Sequence, residues 1–337
     1  MRKLQQTAMA ILFVILGTNS WAESRSGTIV MDFDLSSHSI GEEARLWIPY
    51  PVSDRYQLIT NVKIQGDQSE AGIYTDQVFV QPMLFVRWNK EAKSRKLTFS
   101  FAVERKEVVC RDLPAQEALW NPAEHAEYLK STNLGPTGGA VKKLADEITQ
   151  GKTTVLDKSR AIYDWVCGNM YRDPTTKGCG SGDVCALIEQ RGGKCVDIHS
   201  VFVALARAAG VPAREVFGLR LGRKDDEDVT GGYHCWAEFF VPGYGWVPAD
   251  PGDVRKLMLA ENLTMSDAKT IKYRESFWGS VDPYRVKLGM GRDVMLNPAQ
   301  KGGPLNYFMY PFAQVGDMTL DWMEPETFKY TVTFRSK

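Results

Sequence analysis

The sequence predicts an α+β protein: a helix bearing a cysteine, packed on an antiparallel sheet bearing a histidine and an aspartate, and preceded by a small β-sandwich. Three observations predict it. An apolar run with repeats at three and four residues opens at Cys195 and stops at Gly210 and Pro212. Two apolar runs flank the turn residues Pro242-Gly243-Tyr244-Gly245, as in a hairpin. Before residue 110, short segments alternate apolar and polar residues between turn-rich spacers.

The helix carries Val196, Ile198, Val201, Phe202, Leu205, Ala206 and Ala209 on the pattern of a buried element. Gly192 and Gly193 would let the chain turn sharply into it, leaving the Cys195 thiol in the first turn. There, unpaired N–H groups and the positive end of the helix dipole favour an anion. A cysteine thiol titrates near ~8.5 when free and lower at such a position, so a thiolate is expected.

Gly232 to Val241 reads as a strand and Trp246 to Asp250 as its return, which places His234 and Asp250 toward the open end of the hairpin. Strand side chains alternate faces, so the two share a face only if the loop is odd in length or bulged. A left-handed Gly245 in a three-residue loop would make them diagonal neighbours.

The segments R-G-G-K-C-x-D-x-H-x-x-F-x-A-L-A-R-A-A-G-V-P-A-R-x-V-F-G, Arg191 to Gly218, and G-Y-H-C-W-A-E-F-x-V-P-G-Y-G-W-V-P-A-D-P, Gly232 to Pro251, resemble the transglutaminase-like superfamily of papain-like cysteine fold, in its bacterial exported branch. The resemblance is strongest from about Ile148 to Pro251. It implies a papain-like transglutaminase core in which Cys195 is the nucleophile, His234 the general acid/base and Asp250 the group that orients the histidine. Cys195 would attack an amide carbonyl and form a thioester acyl-enzyme, which water or an amine then resolves. Hydrolysis by a peptidase, amidase or deamidase is preferred over transamidation. The alternative is a non-catalytic periplasmic binding or scaffolding protein that keeps the fold. The Cys195 N–H is a first oxyanion donor; Tyr171 and Trp165 are candidates for the second, because relatives use a side chain from that region. Trp165 also has the spacing of a core residue.

Cys195, Asp197, His199, His234 and Cys235 invite a zinc reading, but adjacent strand residues point to opposite faces, so His234 and Cys235 would not share an ion. His199 is expected to hydrogen-bond in the core or behind the site. The acidic run Asp225 to Asp228 has the character of a solvated loop and lacks ordered calcium-ligand spacing. No metal and no cofactor is expected.

The N-terminus carries Arg2 and Lys3, an apolar run from Ala8 to Leu16 and the small residues Ser20 and Ala22, the pattern of a Sec-type signal peptide over residues 1–22. The expected product is periplasmic or secreted, with no stable membrane insertion after cleavage. Its removal leaves 39 basic against 41 acidic residues, a net charge of about −2. That balance excludes bulk electrostatic capture of nucleic acid, so the expected partner is a protein or peptide amide substrate. Nothing in the pattern sets an oligomeric state. Six cysteines suit no disulfide scaffold. Cys179 with Cys185, or Cys110 with Cys167, are open pairings.

The expected organisation is a sandwich-like domain over 24–109, a linker with a short helix over 110–137, the catalytic core over 138–256, and a C-terminal wrap with a terminal strand over 257–337. Within it, Ile29, Met31, Phe33 and Leu35, the apolar run Val78 to Trp88, and Leu97, Phe99, Phe101 and Val103 mark strands. Val141, Leu144, Ala145 and Ile148 mark one helix; Leu156, Ile162, Trp165 and Val166 mark a second that opens on Thr154 and Asp157. Phe328, Tyr330, Val332 and Phe334 mark the last strand.

Overall fold

The computed structural model describes residues 23–324 and 326–337; the predicted signal segment, 1–22, lies outside the described residues. Among them no helix is long and apolar enough to cross a membrane.

The N-terminal half supplies β1 (Ser24–Asp34), β2 (Ala44–Pro49), β3 (Gln57–Gly66), β4 (Glu70–Thr75), β5 (Pro82–Trp88) and β6 (Lys96–Lys106). Alternation decides which way each strand faces: Ile29, Met31 and Phe33 on β1 and Leu97, Phe99, Phe101 and Val103 on β6 are buried, while the residues between them reach outward. The run from Val78 begins as a turn, not a strand. The Asp76 carboxylate accepts the N–H groups of Val78, Phe79 and Gln81, which bends the chain and leaves Val78 and Val80 exposed until β5 starts at Pro82.

The strands form two five-stranded sheets, and each recruits the C-terminus. One runs Glu227–Asp228, Lys329–Ser336, β1, β6, β3; the other runs Met318–Leu320, Phe312–Val315, β2, β5, β4. The sandwich therefore draws on more of the chain than 24–109. Lys329–Ser336 pairs antiparallel along β1 from Asp34↔Lys329 to Gly27↔Ser336, burying Phe328, Val332 and Phe334 in the same core as Ile29 and Met31. Two of the added strands are only three and four residues long, too short for their alternation to stand out in the sequence.

The helical half holds α1 (Gly139–Ile148), α2 (Val155–Asn169), α3 (Val184–Gln190), α4 (Cys195–Ala208), α5 (Pro251–Ala260) and α6 (Ala268–Ser276). Thr154 caps α2 by accepting the Asp157 N–H at 3.0 Å, as its spacing with Asp157 suggests. The segment 110–137 contains a 3-10 helix at Pro122–Tyr128 and is tied down, because Glu117 accepts the N–H groups of Val155 and Leu156 at the start of α2. Helix α4 is buried along its whole length, with α1 and α2 against it and a four-stranded antiparallel sheet beneath. That sheet runs Gly245–Ala249, Tyr233–Val241, Ala213–Arg220, Arg285–Met290. Helices α3, α5 and α6 are additions to the sequence reading; each is short and α6 buries only Thr270.

All six cysteines are free thiols. Neither anticipated pair forms: Cys185 is exposed while Cys179 is buried, and Cys110 and Cys167 are buried near different tyrosines, Tyr244 and Tyr163.

Because the last strand closes the sandwich, Phe334→Ala should cost about 3–5 kcal/mol, the usual price of emptying a buried phenylalanine site. Arg335→Ala, on the exposed face, should stay within about 0.5 kcal/mol. Urea unfolding midpoints of the two variants check this.

Candidate active site

Cys195 is the first residue of α4, and the preceding motif positions it by room rather than by handedness. The left-handed residue is Arg191 (φ 66°), which closes α3. A Cβ on Gly192 would collide with the Tyr171 ring, and one on Gly193 with the Asp197 side chain. Asp197 then reaches back to accept the Lys194 N–H at 2.9 Å and the Gly182 N–H at 2.8 Å, fixing the entry into α4.

His234 and Asp250 come together through the hairpin register. Val241 pairs with Gly245 and Ala237 with Ala249 across the three-residue loop 242–244, an odd length, so both side chains lie on one face as diagonal neighbours. Gly243 (φ 83°) and Gly245 (φ 115°) both take positive φ in that turn. Asp250 stands just past the returning strand as the N-cap of α5, with Pro251 in the first helical position.

The Asp250 carboxylate is fully buried and has four partners. Its Oδ2 lies 2.8 Å from His234 Nε2 and accepts from the Arg285 guanidinium. Its Oδ1 accepts the Asp253 N–H at 2.8 Å and lies 3.0 Å from His199 Nε2. Burial pushes its pKa up, but His234, Arg285 and His199 outweigh that and hold it well below the usual carboxylate range. Asp253 is likewise held down to about 2 against burial, chiefly by His234. His234 is pushed down by burial and Arg220, yet the Asp253 and Asp250 carboxylates leave it raised above the ordinary imidazole value.

Three thiols meet at the helix start. The neighbouring Cys179 and Cys235 thiols, with His234 adding to them, hold Cys195 well below the ordinary thiol range despite its burial, while the Cys179 thiol itself donates to the Tyr233 carbonyl at 3.5 Å. Cys179 and Cys235 are pushed up in turn. Cys235 Sγ also lies 3.2 Å from His199 Nδ1, so a chain of contacts runs from Asp250 through His199 to Cys235. His199 and Arg285 are the parts of the site that the sequence left without a partner. His199 had the spacing to share a face with Cys195, whereas Arg285 lies 35 residues beyond Asp250 with no local pattern to mark it.

Tyr171 is half exposed, in a two-residue strand paired in parallel with Gly192–Gly193, its ring over Gly192. Trp165 packs against the helical core under the Arg191 guanidinium, 4.5 Å from its ring centre. Neither makes a polar side-chain contact with Cys195 among the described residues. The cluster His234, Asp250 and Asp253 has the donor types and spacing of a metal site. Arg285 already neutralises it, bonding Asp250 and lying 2.8 Å from Asp253, so these residues do not fit an additional cation. The acidic run is consumed locally: Glu227 accepts the Arg223 and Lys224 N–H groups, and Asp228 that of Thr230.

Cys195 is 2% exposed. A cavity of about 390 Å³ reaches Cys179 but is not lined by Cys195; Gly178, Gly231, Tyr233, Tyr310 and Trp322 are among its walls. Tyr310 and Trp322 stack at 3.3 Å and also border a neighbouring cavity of about 470 Å³. A cavity of about 710 Å³ along β1, β3, β6 and the last strand is lined by no cysteine.

Two outcomes follow. Arg285→Met should destabilise the fold by about 3–5 kcal/mol, since it strands Asp250 and Asp253 against each other. Carboxylates with depressed folded pKa values stabilise above their unfolded value and lose that contribution as pH falls, so the deficit should shrink on acidification through the carboxylate range, in urea titrations at several pH values. Cys179→Ala should raise the Cys195 pKa, slowing its alkylation by iodoacetamide near pH 6 while leaving the rate at pH 9 little changed.

Residues 142–251 match the family model described as the transglutaminase-like superfamily. Over 316 residues, 86% of this chain and 85% of the relative, the sequence is 36% identical to an uncharacterized protein of Haemophilus influenzae. Over 88 residues, 24% of this chain and 12% of the relative, it is 32% identical to a protein-glutamine gamma-glutamyltransferase of Pseudomonas aeruginosa. The crystal structure of a provisionally named cysteine protease from Cytophaga hutchinsonii shares the fold with a TM-score of 0.55, at 16% identity, covering 93% of this chain and 99% of that one. Superfamily and fold together point to a cysteine-dependent hydrolase-like or acyltransferase-like activity. The chain belongs to the transglutaminase-like superfamily.

Proposed function

We propose that this protein is an exported cysteine enzyme that transfers acyl groups at amide bonds through a thioester, with Cys195, His234 and Asp250 as its triad. The observation that carries the reading is the His234–Asp250 contact, 2.8 Å at Nε2, beside a sulfur held toward the thiolate at a helix N-terminus. With Nε2 engaged by the carboxylate, Nδ1 is left for the proton exchanged with Cys195.

The Cys195 thiolate attacks the amide carbonyl carbon, and the carbonyl π electrons move to oxygen. The oxyanion is met by the Cys195 N–H, with Tyr171 and Trp165 as candidates for the second donor; the place of the Tyr171 ring over Gly192 favours Tyr171. Imidazolium His234 then protonates the departing amine as the C–N bond breaks, leaving the thioester. In hydrolysis His234 next takes a proton from water, whose oxygen attacks the thioester and releases the acid and the thiolate. Asp250 keeps the imidazole aligned throughout and stabilises its charged form. The cavity lined by Cys179 and Tyr233 is assigned to the acyl group, since the Cys179 carbonyl holds the first turn of α4 that carries the sulfur. Hydrolysis is preferred because water needs no second binding site. The similarity to the Pseudomonas aeruginosa protein-glutamine gamma-glutamyltransferase favours transamidation as the second reading.

Iodoacetamide should label Cys195 rapidly near neutral pH and at least tenfold more slowly in His234→Ala. Slow labelling at equal rates in both would instead support a non-catalytic binding or scaffolding protein. Incubation with a periplasmic extract, followed by mass spectrometry against a Cys195→Ala control, should show cleaved or deamidated peptides. Crosslinked products alone would reverse the preference for hydrolysis.

A further inference from the structure

Five arginines are buried, and four of them donate from at least two guanidinium nitrogens. Arg95 donates to the carbonyls of His38, Ser39 and Glu42, and Arg207 to those of Ala213 and Lys130. Arg285 lies among three carboxylates, and Arg292 donates to Glu215, Ser200, Asn306 and the Ser181 carbonyl. Arg105 differs. Only 3% exposed, it donates from Nε to the Arg285 carbonyl at 2.7 Å, while its two Nη groups have no hydrogen-bond or ion-pair partner among the described residues. A buried guanidinium left without an anion is costly, so this one is shaped for a partner.

Arg105 lines a cavity of about 190 Å³ between the sandwich and the four-stranded sheet. The other charges around it are largely matched. Arg214 pairs with Glu238, 2.8 Å from Nε, and lies 3.9 Å over the Trp246 ring. Lys287 faces Asp54 at 3.8 Å, and Asp54 also accepts the N–H groups of Tyr56 and Gln57. The surplus is Arg105 inside and Arg55 beside it, a net charge of +2 with both carboxylates counted. Trp236 and Trp246 supply aromatic walls.

We propose that this cavity binds a small oxyanion ligand, a carboxylate or a phosphate, held by the free edge of the Arg105 guanidinium. Two parallel N–H groups on one planar edge match two oxygens of either group. Glu238 and Asp54 repel an anion, but each already faces a cation, so the unmatched Arg105 decides the sign of the site. The site requires no turnover by Cys195 and stands apart from the proposed acyl transfer. It lies two residues along from the triad on both strands, since Trp236 follows His234 and Pro248 precedes Asp250, and the carbonyl that Arg105 holds belongs to the arginine bound to Asp250.

The test uses the whole mature protein, titrated at constant ionic strength with N-acetylalanine, inorganic phosphate or chloride, following tryptophan fluorescence and melting temperature. Saturable binding of N-acetylalanine or phosphate but not chloride is expected, and the tighter of the two identifies the group. Arg105→Met should weaken it at least tenfold. Should that variant fail to give a native circular dichroism spectrum, Arg105→Lys serves, keeping the charge without the planar fork, and should still weaken binding several-fold. No saturable binding of either oxyanion, a chloride response of the same size, or unchanged affinity in the folded variant would overturn the proposal.

Discussion

The Asp250 carboxylate is the constraint on which the site depends. Stripping a carboxylate of water costs several kcal/mol, and this one recovers it only by collecting donors from four directions: the His234 strand, α4 through His199, the first turn of α5, and Arg285 from a strand remote in sequence. Each donor is useful only if its element arrives in register. The odd hairpin loop, the N-cap geometry of α5 and the packing of α4 on the sheet are thus conditions of one charge balance. Asp253 and Asp282 extend it, giving Arg285 three carboxylates.

The same economy governs the thiols. Burial and the neighbouring Cys195 push the Cys235 thiol up, and its sulfur lies 3.2 Å from His199 Nδ1. His199 Nε2 in turn lies between the Asp250 carboxylate, 3.0 Å away, and the Gly252 N–H, which donates to it at 3.3 Å, so His199 links Cys235 to the same carboxylate that holds His234. Cys179 acts separately. It reaches Cys195 from the segment before α3, and its own carbonyl accepts the Val196 N–H at 2.9 Å, so the thiol and the first turn of α4 are held by one residue.

Local grammar carried most of what the sequence revealed. Alternation marked β1, β6 and the last strand, the 3.6-residue period marked α4, and loop parity placed His234 and Asp250 on one face; each of these is decided within about twenty residues. Arg285, His199 and Cys179 acquire meaning only from partners 35, 51 and 16 positions away, in that order Asp250 for the first two and Cys195 for the third, and no periodicity encodes such a meeting. The glycine pair before Cys195 reads from the sequence as freedom to turn sharply, whereas the fold needs it for room. Room for Tyr171 and Asp197 is a property of neighbours brought in by folding, whereas a positive φ would have been local.

The region that resembles the superfamily most closely, 142–251, is not a self-sufficient site. It ends one residue beyond Asp250, before Arg285 and the edge strand Arg285–Met290. The Cys195 sulfur also belongs to the apolar cluster of the sandwich, sharing it with Ile29, Phe101 and Val332, while the rest of α4 packs largely in the helical core. Tyr310 and Trp322, which wall the cavity beside Cys179, come from the chain that returns to complete the sandwich. Low dielectric around the sulfur strengthens every charge that acts on it, and that dielectric is supplied by strands from both ends of the sequence. The helical core positions the Cys195 sulfur, and the closed sandwich sets how strongly its neighbours are felt.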